Sequence, residues 1–208
     1  MSLSIFAVFL AAALLGSIPS GVLVTRLLGL DDPRAAGSGN IGATNVIRTS
    51  GWLPGLLTLA GDLLKGTLAI AWIPALLAPG SPLLPFHQPA AALGAVFGHM
   101  FSPFTGFKGG KGVATGLGVF LYWMPGPAGW AALVFAGTVA ATRYVSLGSI
   151  LAAGALPLAG AVMGYPDPAV ATAALIAGFI VRRHAGNIRR LLRGEENRLG
   201  RTRGEGSA

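Results

Sequence analysis

The sequence predicts an all-α integral membrane protein with about seven transmembrane helices. Of its 208 residues, 53% are hydrophobic and only 11% are charged, and the mean hydropathy is +0.67. A soluble domain carries about 25% charged residues, so this chain has too few to cover a water-exposed surface. The hydrophobic share excludes a disordered chain, and the 32 glycines show no collagen-like period.

Several classes of chemistry are excluded by what the sequence lacks. Without cysteine there is no disulfide framework, no thiolate metal site and no cysteine nucleophile. The three histidines (His87, His99 and His184) lie far apart and form no H-E-x-x-H motif, so we expect no metal. A G-x-S-x-G elbow and a His-x4-Asp pair are also absent. A reaction here would depend on clamping and positioning a phosphate.

Seven apolar runs divide the chain. The first, 3–28, follows no basic segment, so we read it as a retained helix rather than a secretory signal. The second, 52–77, contains Asp62 and Lys65 three residues apart, and we expect them to pair or to face a polar cavity. Some of the later runs fall short of the roughly 20 residues that span a bilayer, which leaves six or fewer spans as an alternative. These later runs are roughly 89–101, 113–124, 129–142, 147–163 and 169–181.

The basic residues predict the orientation of these runs. Apart from Lys65, all Lys and Arg fall in alternate loops and the C-terminal tail, whereas loops 78–88, 125–128 and 164–168 contain none. The positive-inside rule then places the C-terminus and the motif loops in the cytoplasm and the N-terminus outside, which requires an odd number of spans. We interpret the Arg-rich tail as an anchor on anionic lipid rather than a nucleic-acid site. The chain is predicted as one domain, 1–208, with a membrane core (1–195) and a flexible basic tail (196–208).

The first polar cluster is the segment 37–48, Gly-Ser-Gly-Asn-Ile-Gly-Ala-Thr-Asn-Val-Ile-Arg. Closely spaced glycines let backbone N–H groups turn toward an anion. Arg48 can hold a phosphate through two hydrogen bonds. Four further side chains can donate hydrogen bonds: Ser38, Asn40, Thr44 and Asn45. A plain turn leading into a helix is the structural alternative.

Two further clusters follow. In 98–115, Lys111 stands among glycines at the start of an apolar helix, where backbone N–H groups and the helix dipole favour an anion. The segment is not a Walker A motif, because Gly112 rather than Ser or Thr follows Lys111. His99 belongs either to this site or to a hydrogen-bonded interface. In 182–196, His184 and Asn187 share one helix face.

These residues resemble a known family. The segments 37–48, 109–115 and 184–196 are similar to three motifs of the bacterial acyl-phosphate-dependent glycerol-3-phosphate acyltransferases, the PlsY family. Asp62-x-x-Lys65-Gly66 and Tyr144-Val145-Ser146-Leu147 also match, so the resemblance covers almost the whole chain. One departure is Ala185-Gly186, where family members often carry a basic-acidic pair. Glycine there predicts a looser helix.

The resemblance implies an enzyme of phospholipid biosynthesis in the bacterial inner membrane. It would transfer a fatty acyl group from acyl phosphate to the 1-hydroxyl of sn-glycerol 3-phosphate, giving lysophosphatidic acid and phosphate. It implies no metal or other cofactor. The implied partners are acyl phosphate, glycerol 3-phosphate, membrane lipids and the enzyme that produces acyl phosphate, with no nucleic acid.

The resemblance also implies residue roles. The donor's own phosphate could accept the proton of the attacking hydroxyl, in which case no protein base is needed. The catalytic residues would be Ser38, Arg48, Lys111, His184 and Asn187. The substrate-binding residues would be Asn40, Thr44, Asn45, Lys65, Gly109, Gly110, Gly112, Thr115, Ser146 and Glu196.

Two other classes fit part of the sequence. A transporter of phosphorylated anions would use the same cations and glycines, but transporters place such groups near the bilayer midplane on inverted repeats. A lipid-bound scaffold would leave the clustered polar residues without a role. Arg48→Ala separates the classes, because an enzyme would lose turnover while keeping its fold.

Overall fold

The computed structural model describes residues 2–200, and every regular element in this range is a helix. The all-α prediction is therefore confirmed for the described residues. Short 3-10 turns cover Pro33–Ala35 and Pro103–Thr105. The α-helices are α1 (Ser2–Gly16), α2 (Ser20–Leu27), α3 (Ala43–Ser50), α4 (Trp52–Leu77), α5 (Leu84–Met100), α6 (Val113–Trp123), α7 (Pro125–Thr142), α8 (Val145–Val162), α9 (Asp167–Arg183) and α10 (Ala185–Leu192).

Each of the seven apolar runs contains a helix, and the first run contains two. The chain breaks between α1 and α2 at Ser17–Pro19, because proline has no N–H and disfavours the helical conformation in the residue before it. Within the described residues, three stretches are long and apolar enough to cross a membrane by length and composition: Leu3–Leu27, Trp52–Leu77 and Val145–Val162. The count of seven spans stays a prediction.

The helices form two compact units, one within residues 2–125 and one within 126–200, where a single domain was predicted. In the first unit, α1 and α5 meet through small residues. A Cβ at Gly98 would overlap the carbonyl oxygen of Ala13, and one at Gly16 would overlap that of Ala95. Without side chains between them, the two backbones come into van der Waals contact.

Helices α4 and α6 of the first unit meet in the same way. A Cβ at Gly66 would overlap the carbonyl oxygen of Thr115, and one at Gly118 would overlap that of Leu63. The hydroxyl of Thr67 donates a hydrogen bond of 2.8 Å to the Gly118 carbonyl. We call this contact the α4–α6 seam. It holds the first turns of α6 directly against the middle of α4.

In the second unit, the segment after α10 is hydrogen-bonded to the residues between α7 and α8. After α10, the N–H of Leu199 donates to the Arg143 carbonyl (2.8 Å), and the Arg198 guanidinium donates to the Tyr144 hydroxyl (3.2 Å). Arg198 and Leu199 are therefore hydrogen-bonded to the corner between α7 and α8, and the flexibility of the tail from residue 196 stays a prediction. The rest of that predicted tail, 201–208, lies outside the described residues.

Helix α10 is continuous through Gly186 despite the departure from the family pattern. A Cβ at Gly186 would meet only the Arg190 side chain, 3.6 Å away, and its φ is not positive. By contrast, Gly194 follows the helix with φ +70°, a conformation that favours glycine.

We expect Gly186→Ala to stabilise the protein by about 0.5–1 kcal/mol, because alanine has the higher helix propensity and finds open space. The apparent melting temperature in detergent should rise by about 2 °C. Gly194→Ala is the matched control and should lower the melting temperature, because alanine is strained at positive φ. A melting temperature lowered by Gly186→Ala would contradict the open space described around this glycine.

Candidate active site

Asn45 organises the first motif. It is buried in α3, its amide nitrogen donates to the carbonyls of Pro33 (2.7 Å) and Ala36 (3.3 Å), and its amide oxygen accepts from the Ser38 N–H (2.8 Å) and hydroxyl (3.1 Å). One side chain thus closes the loop before α3. Both ends of its amide are hydrogen-bonded within the protein, and the substrate-binding role of Asn45 stays a prediction.

The remaining residues of the first motif surround that closed loop. Asn40 accepts a hydrogen bond from the Gly42 N–H (2.9 Å), which shapes the turn into α3. Ser38 and Arg48 are exposed and Thr44 is half-buried. Thr44 and Arg48 are one turn apart on α3 and therefore lie on the same side of it. The arrangement presents a hydroxyl and a guanidinium outward from a rigid turn.

The second motif folds back on the end of α5. The N–H of Gly109 donates to the Met100 carbonyl (3.2 Å), and the N–H of Gly110 donates to the His99 carbonyl (3.1 Å). Gly112 adopts φ +82° directly before the first residue of α6, Val113. The predicted phosphate cradle of Gly109 and Gly110 is thus modified, since these two N–H groups already hold the loop to the protein.

Lys111 and Thr115 flank the start of α6. Lys111 is half-buried and immediately precedes Gly112, the residue before the positive end of the α6 dipole. Thr115 is fully buried in the first turns of α6, and its hydroxyl has no hydrogen-bond partner among the described residues.

Lys65 lies within α4 and is buried with Asp62. Its ammonium is 2.8 Å from an Asp62 carboxylate oxygen and donates to the Ile18 carbonyl at 2.7 Å. This confirms the expected pairing with Asp62. The ammonium is engaged with these two protein groups, and the substrate-binding role of Lys65 stays a prediction.

Glu196 is the centre of the third motif. Its carboxylate accepts hydrogen bonds from Ser146 (2.9 Å), Asn187 (2.6 Å) and the Arg190 guanidinium (2.7 Å). The side chain is 6% exposed although it follows the last helix of the chain. The structure therefore brings together three residues predicted for the site, namely Ser146, Asn187 and Glu196, and adds Arg190.

The pKa of Glu196 reflects these contacts. Burial disfavours the charged carboxylate, but the hydrogen bonds from Asn187, Ser146 and Arg190 and the charge of Arg190 outweigh burial. The pKa of Glu196 therefore lies below its ordinary value of 4.5. The group is a carboxylate at neutral pH and can only accept hydrogen bonds. Ser146 thus donates to Glu196 and keeps its lone pairs for another donor.

His184 stands at the junction of α9 and α10. It is buried, and its Nδ1 lies 2.8 Å from the Ile180 carbonyl oxygen. A ring nitrogen at this distance from a carbonyl is a protonated donor, which fixes the orientation of the imidazole. The next helix turn carries Asn187, so the predicted common face is retained across the junction.

Sequence patterns missed two contributions to this region. Arg190 was part of the third motif but was not assigned to the site, and the Arg198–Tyr144 contact was not anticipated. In a tail rich in arginine, an Arg six residues before the second of two adjacent glutamates gave no distinguishing signal. His99, left open between a site and an interface, lies against Gly110 inside the first unit.

Comparison with known proteins identifies the class to which this helical, cation-bearing architecture belongs. A family model described as glycerol-3-phosphate acyltransferase matches residues 6–194. A glycerol-3-phosphate acyltransferase of Geobacter sulfurreducens is 49% identical over 191 residues, covering 90% of this chain and 94% of that protein. One from Aromatoleum aromaticum is 47% identical and covers 92% and 94% respectively.

Solved structures agree with these relatives. The crystal structure of PlsY (YgiH), an integral membrane glycerol 3-phosphate acyltransferase, in its glycerol 3-phosphate form has a TM-score of 0.84 at 43% identity and covers 95% of this chain and 96% of that one. Its lysophosphatidic acid form has a TM-score of 0.82 and covers 95% of each chain. The chain therefore belongs to the glycerol-3-phosphate acyltransferase family.

We expect Asn45→Ala to destabilise the first unit by about 2–3 kcal/mol, because several buried hydrogen-bond partners would lose their contact at once. Asn40→Ala removes a single bond in the same motif and should cost about 0.5–1 kcal/mol. Apparent melting temperatures of the purified variants measure the difference. Equal effects of the two substitutions would contradict the organising role of Asn45.

Glu196→Gln tests whether the charge of the Glu196 carboxylate stabilises the protein, because that contribution should depend on pH. Because the folded-state pKa of Glu196 lies below 4.5, its contribution to stability is present above pH 4.5 and is lost as the pH falls through the folded-state value. At pH 7 the native protein should be more stable than the variant by about 1 kcal/mol, allowing for solvent screening at the partly exposed Arg190. Thermal melts between pH 7 and pH 4 should show the difference shrinking. A pH-independent difference would refute the assignment.

Proposed function

We propose that this chain transfers a fatty acyl group from acyl phosphate to the 1-hydroxyl of sn-glycerol 3-phosphate, producing lysophosphatidic acid and inorganic phosphate for phospholipid biosynthesis. The observation that carries the proposal is the family match over residues 6–194, which includes every motif residue except Glu196. The acceptor and the product are supported by the solved relative, whose two forms are described by glycerol 3-phosphate and by lysophosphatidic acid.

The phosphate donor is supported by the cations of the first unit. Lys111 precedes α6 and adds its charge to the positive end of that helix, while Arg48 is exposed on α3. Both suit a doubly charged phosphate, Arg48 through two parallel hydrogen bonds and Lys111 as a point charge. Gly112 adds a backbone that can approach an anion closely, and Thr115 adds a buried hydroxyl in the next turn.

The chemistry we propose needs no protein nucleophile. The acceptor hydroxyl oxygen attacks the carbonyl carbon of acyl phosphate, the bond from that carbon to the phosphate oxygen breaks, and the hydroxyl proton passes to the departing phosphate. On substrate binding, the Ser38 hydroxyl would turn from Asn45 to the donor carbonyl and, with Asn40 and Thr44 beside it, would stabilise the negative charge that develops on the carbonyl oxygen. Lys111 and Arg48 would stabilise the charge on the leaving phosphate.

We assign orientation of glycerol 3-phosphate to residues of the second unit. Ser146 donates to Glu196, so its oxygen can accept a hydrogen bond from a glycerol hydroxyl. Asn187 is held by the same carboxylate, and the buried His184 has a fixed ring orientation. Glu196 acts here by orienting Ser146 and Asn187.

We also infer the location of the enzyme. The alternation of loops that carry Lys or Arg with loops that lack them supports seven spans of the bacterial inner membrane, with the N-terminus outside and the motif segments at the cytoplasmic surface. Glycerol 3-phosphate is water-soluble whereas the acyl chain is not, so a reaction between them belongs at a membrane–water boundary. The enzyme that makes acyl phosphate is a candidate partner.

We expect Lys111→Ala to reduce kcat/KM by at least about 100-fold, because a cation facing the leaving phosphate would be lost. Lys108→Ala is the matched control: Lys108 is an exposed lysine in the same loop, and its removal should change kcat/KM by no more than about twofold. The assay is phosphate release from palmitoyl phosphate by protein in lipid, with and without glycerol 3-phosphate. Arg48→Ala should reduce kcat/KM to a similar extent as Lys111→Ala.

Two outcomes would count against the proposal. Release of phosphate that does not depend on glycerol 3-phosphate would contradict acyl transfer to that acceptor. Equal losses in Lys111→Ala and Lys108→Ala would contradict the place of Lys111 beside the phosphate. The melting temperature of each variant verifies that the compared proteins are folded.

A further inference from the structure

Three ionisable side chains are buried together in the first unit: Asp62 is 2% exposed, Lys65 4% and His99 3%. An Asp62 carboxylate oxygen lies 2.8 Å from the Lys65 ammonium and 3.5 Å from His99 Nδ1. Placing three such groups in an apolar interior is unfavourable unless they compensate one another. The roles assigned above to substrate-binding residues use none of them.

Hydrogen bonds to the segment between α1 and α2 hold one side of the cluster in place. The Lys65 ammonium donates to the Ile18 carbonyl (2.7 Å), and the Ser102 hydroxyl donates to the Ser17 carbonyl (2.6 Å). Both carbonyls belong to the break between α1 and α2, and the Ile18 carbonyl also accepts a hydrogen bond of 3.0 Å from the Ser20 N–H. The buried pair on α4 is therefore tied to a second segment and has little freedom to move.

The other side of His99 faces the glycine loop. A Cβ at Gly110 would overlap His99 Nε2, and its next neighbours would be two further imidazole atoms, at 2.8 Å and 3.1 Å. The N–H of Gly110 also donates to the His99 carbonyl. The imidazole thus fills the space between Asp62 and the loop residue immediately before Lys111.

We propose that His99 is a positioning residue for the glycine loop, held by the Asp62–Lys65 pair and setting where Gly110 and Lys111 stand. Gly109, Gly110 and Gly112 have no side chains with which to pack, so the position of the loop is determined by what its backbone lies against. On the Gly110 side that surface is the ring of His99. The consequence for the donor phosphate rests on the function proposed above, whereas the positioning itself does not.

The first test measures the loop without using activity. In His99→Asn the amide keeps a donor near the position of Nδ1, toward Asp62, but vacates the space against Gly110. Amide hydrogen exchange of the peptide containing Gly109 and Gly110 should accelerate about tenfold, as expected for the loss of one such contact. His87→Asn is the matched control, because His87 is a fully buried histidine on the same helix, 3.1 Å from the Ser4 hydroxyl. It should leave exchange in that peptide unchanged.

The second test uses the fit between His99 and Gly110. Gly110→Ala alone should raise KM for palmitoyl phosphate about tenfold or more, because its Cβ must displace the ring or the loop. Since the three nearest neighbours of that Cβ all belong to the His99 side chain, the double variant with His99→Asn should have a lower KM than Gly110→Ala alone. KM for glycerol 3-phosphate should change much less in each variant.

The outcomes of the two tests distinguish the positioning role of His99 from the proposed placement of the donor phosphate at the glycine loop. Faster exchange confined to the loop, with KM for palmitoyl phosphate unchanged, would support positioning by His99 and would overturn the placement of the donor phosphate at this loop. Equal exchange in His99→Asn and His87→Asn would overturn the positioning role. Strictly additive effects of Gly110→Ala and His99→Asn on KM for palmitoyl phosphate would also overturn the positioning role. If His99→Asn fails to fold, His99→Gln, which also keeps an amide donor and lacks the imidazole ring, takes its place in the exchange experiment.

Discussion

The ion pair between Asp62 and Lys65 is the interaction on which the first unit depends. It lies inside an otherwise apolar helix, where an unpaired charge would be strongly unfavourable. The Lys65 ammonium also donates to the Ile18 carbonyl in the break of the first apolar run, and this carbonyl accepts a second hydrogen bond from the Ser20 N–H. Through His99, the same carboxylate reaches the loop that carries Lys111. Removing either charge would therefore affect the helix break and the loop together.

In the second unit, a single carboxylate holds several polar side chains in place. Glu196 accepts hydrogen bonds from a hydroxyl, an amide and a guanidinium. The backbone before it is held to α10 by the bond from the Glu195 N–H to the Arg190 carbonyl, and the backbone after it is held to the corner before α8 by the Leu199 N–H. A single acceptor with several lone-pair positions can fix several donors at defined angles. Preorganised donors of this type are what an enzyme needs when its task is to orient a substrate.

The sequence was sufficient to predict the helical class, the seven apolar runs and the residues of the motifs. Charge and hydropathy are local properties of the chain, and the Asp62–Lys65 spacing already required a partner for each charge. The sequence was not sufficient to predict the direction in which each side chain points. Asn45 stands among residues suited to anion binding, yet its amide is used within the protein. Likewise, nothing local indicates that Glu196 folds back on Ser146, fifty residues earlier. Such contacts depend on tertiary structure, which composition and periodicity do not encode.

The α4–α6 seam limits where movement can occur during turnover. Helices usually slide past one another by small rotamer adjustments in the side chains between them, a shear motion. At Gly66 and Gly118 there is no such layer, because backbone lies on backbone. A displacement of one helix along its axis would collide with the other within a fraction of a residue. Helix α4 and the start of α6 are therefore expected to move together as one body during turnover.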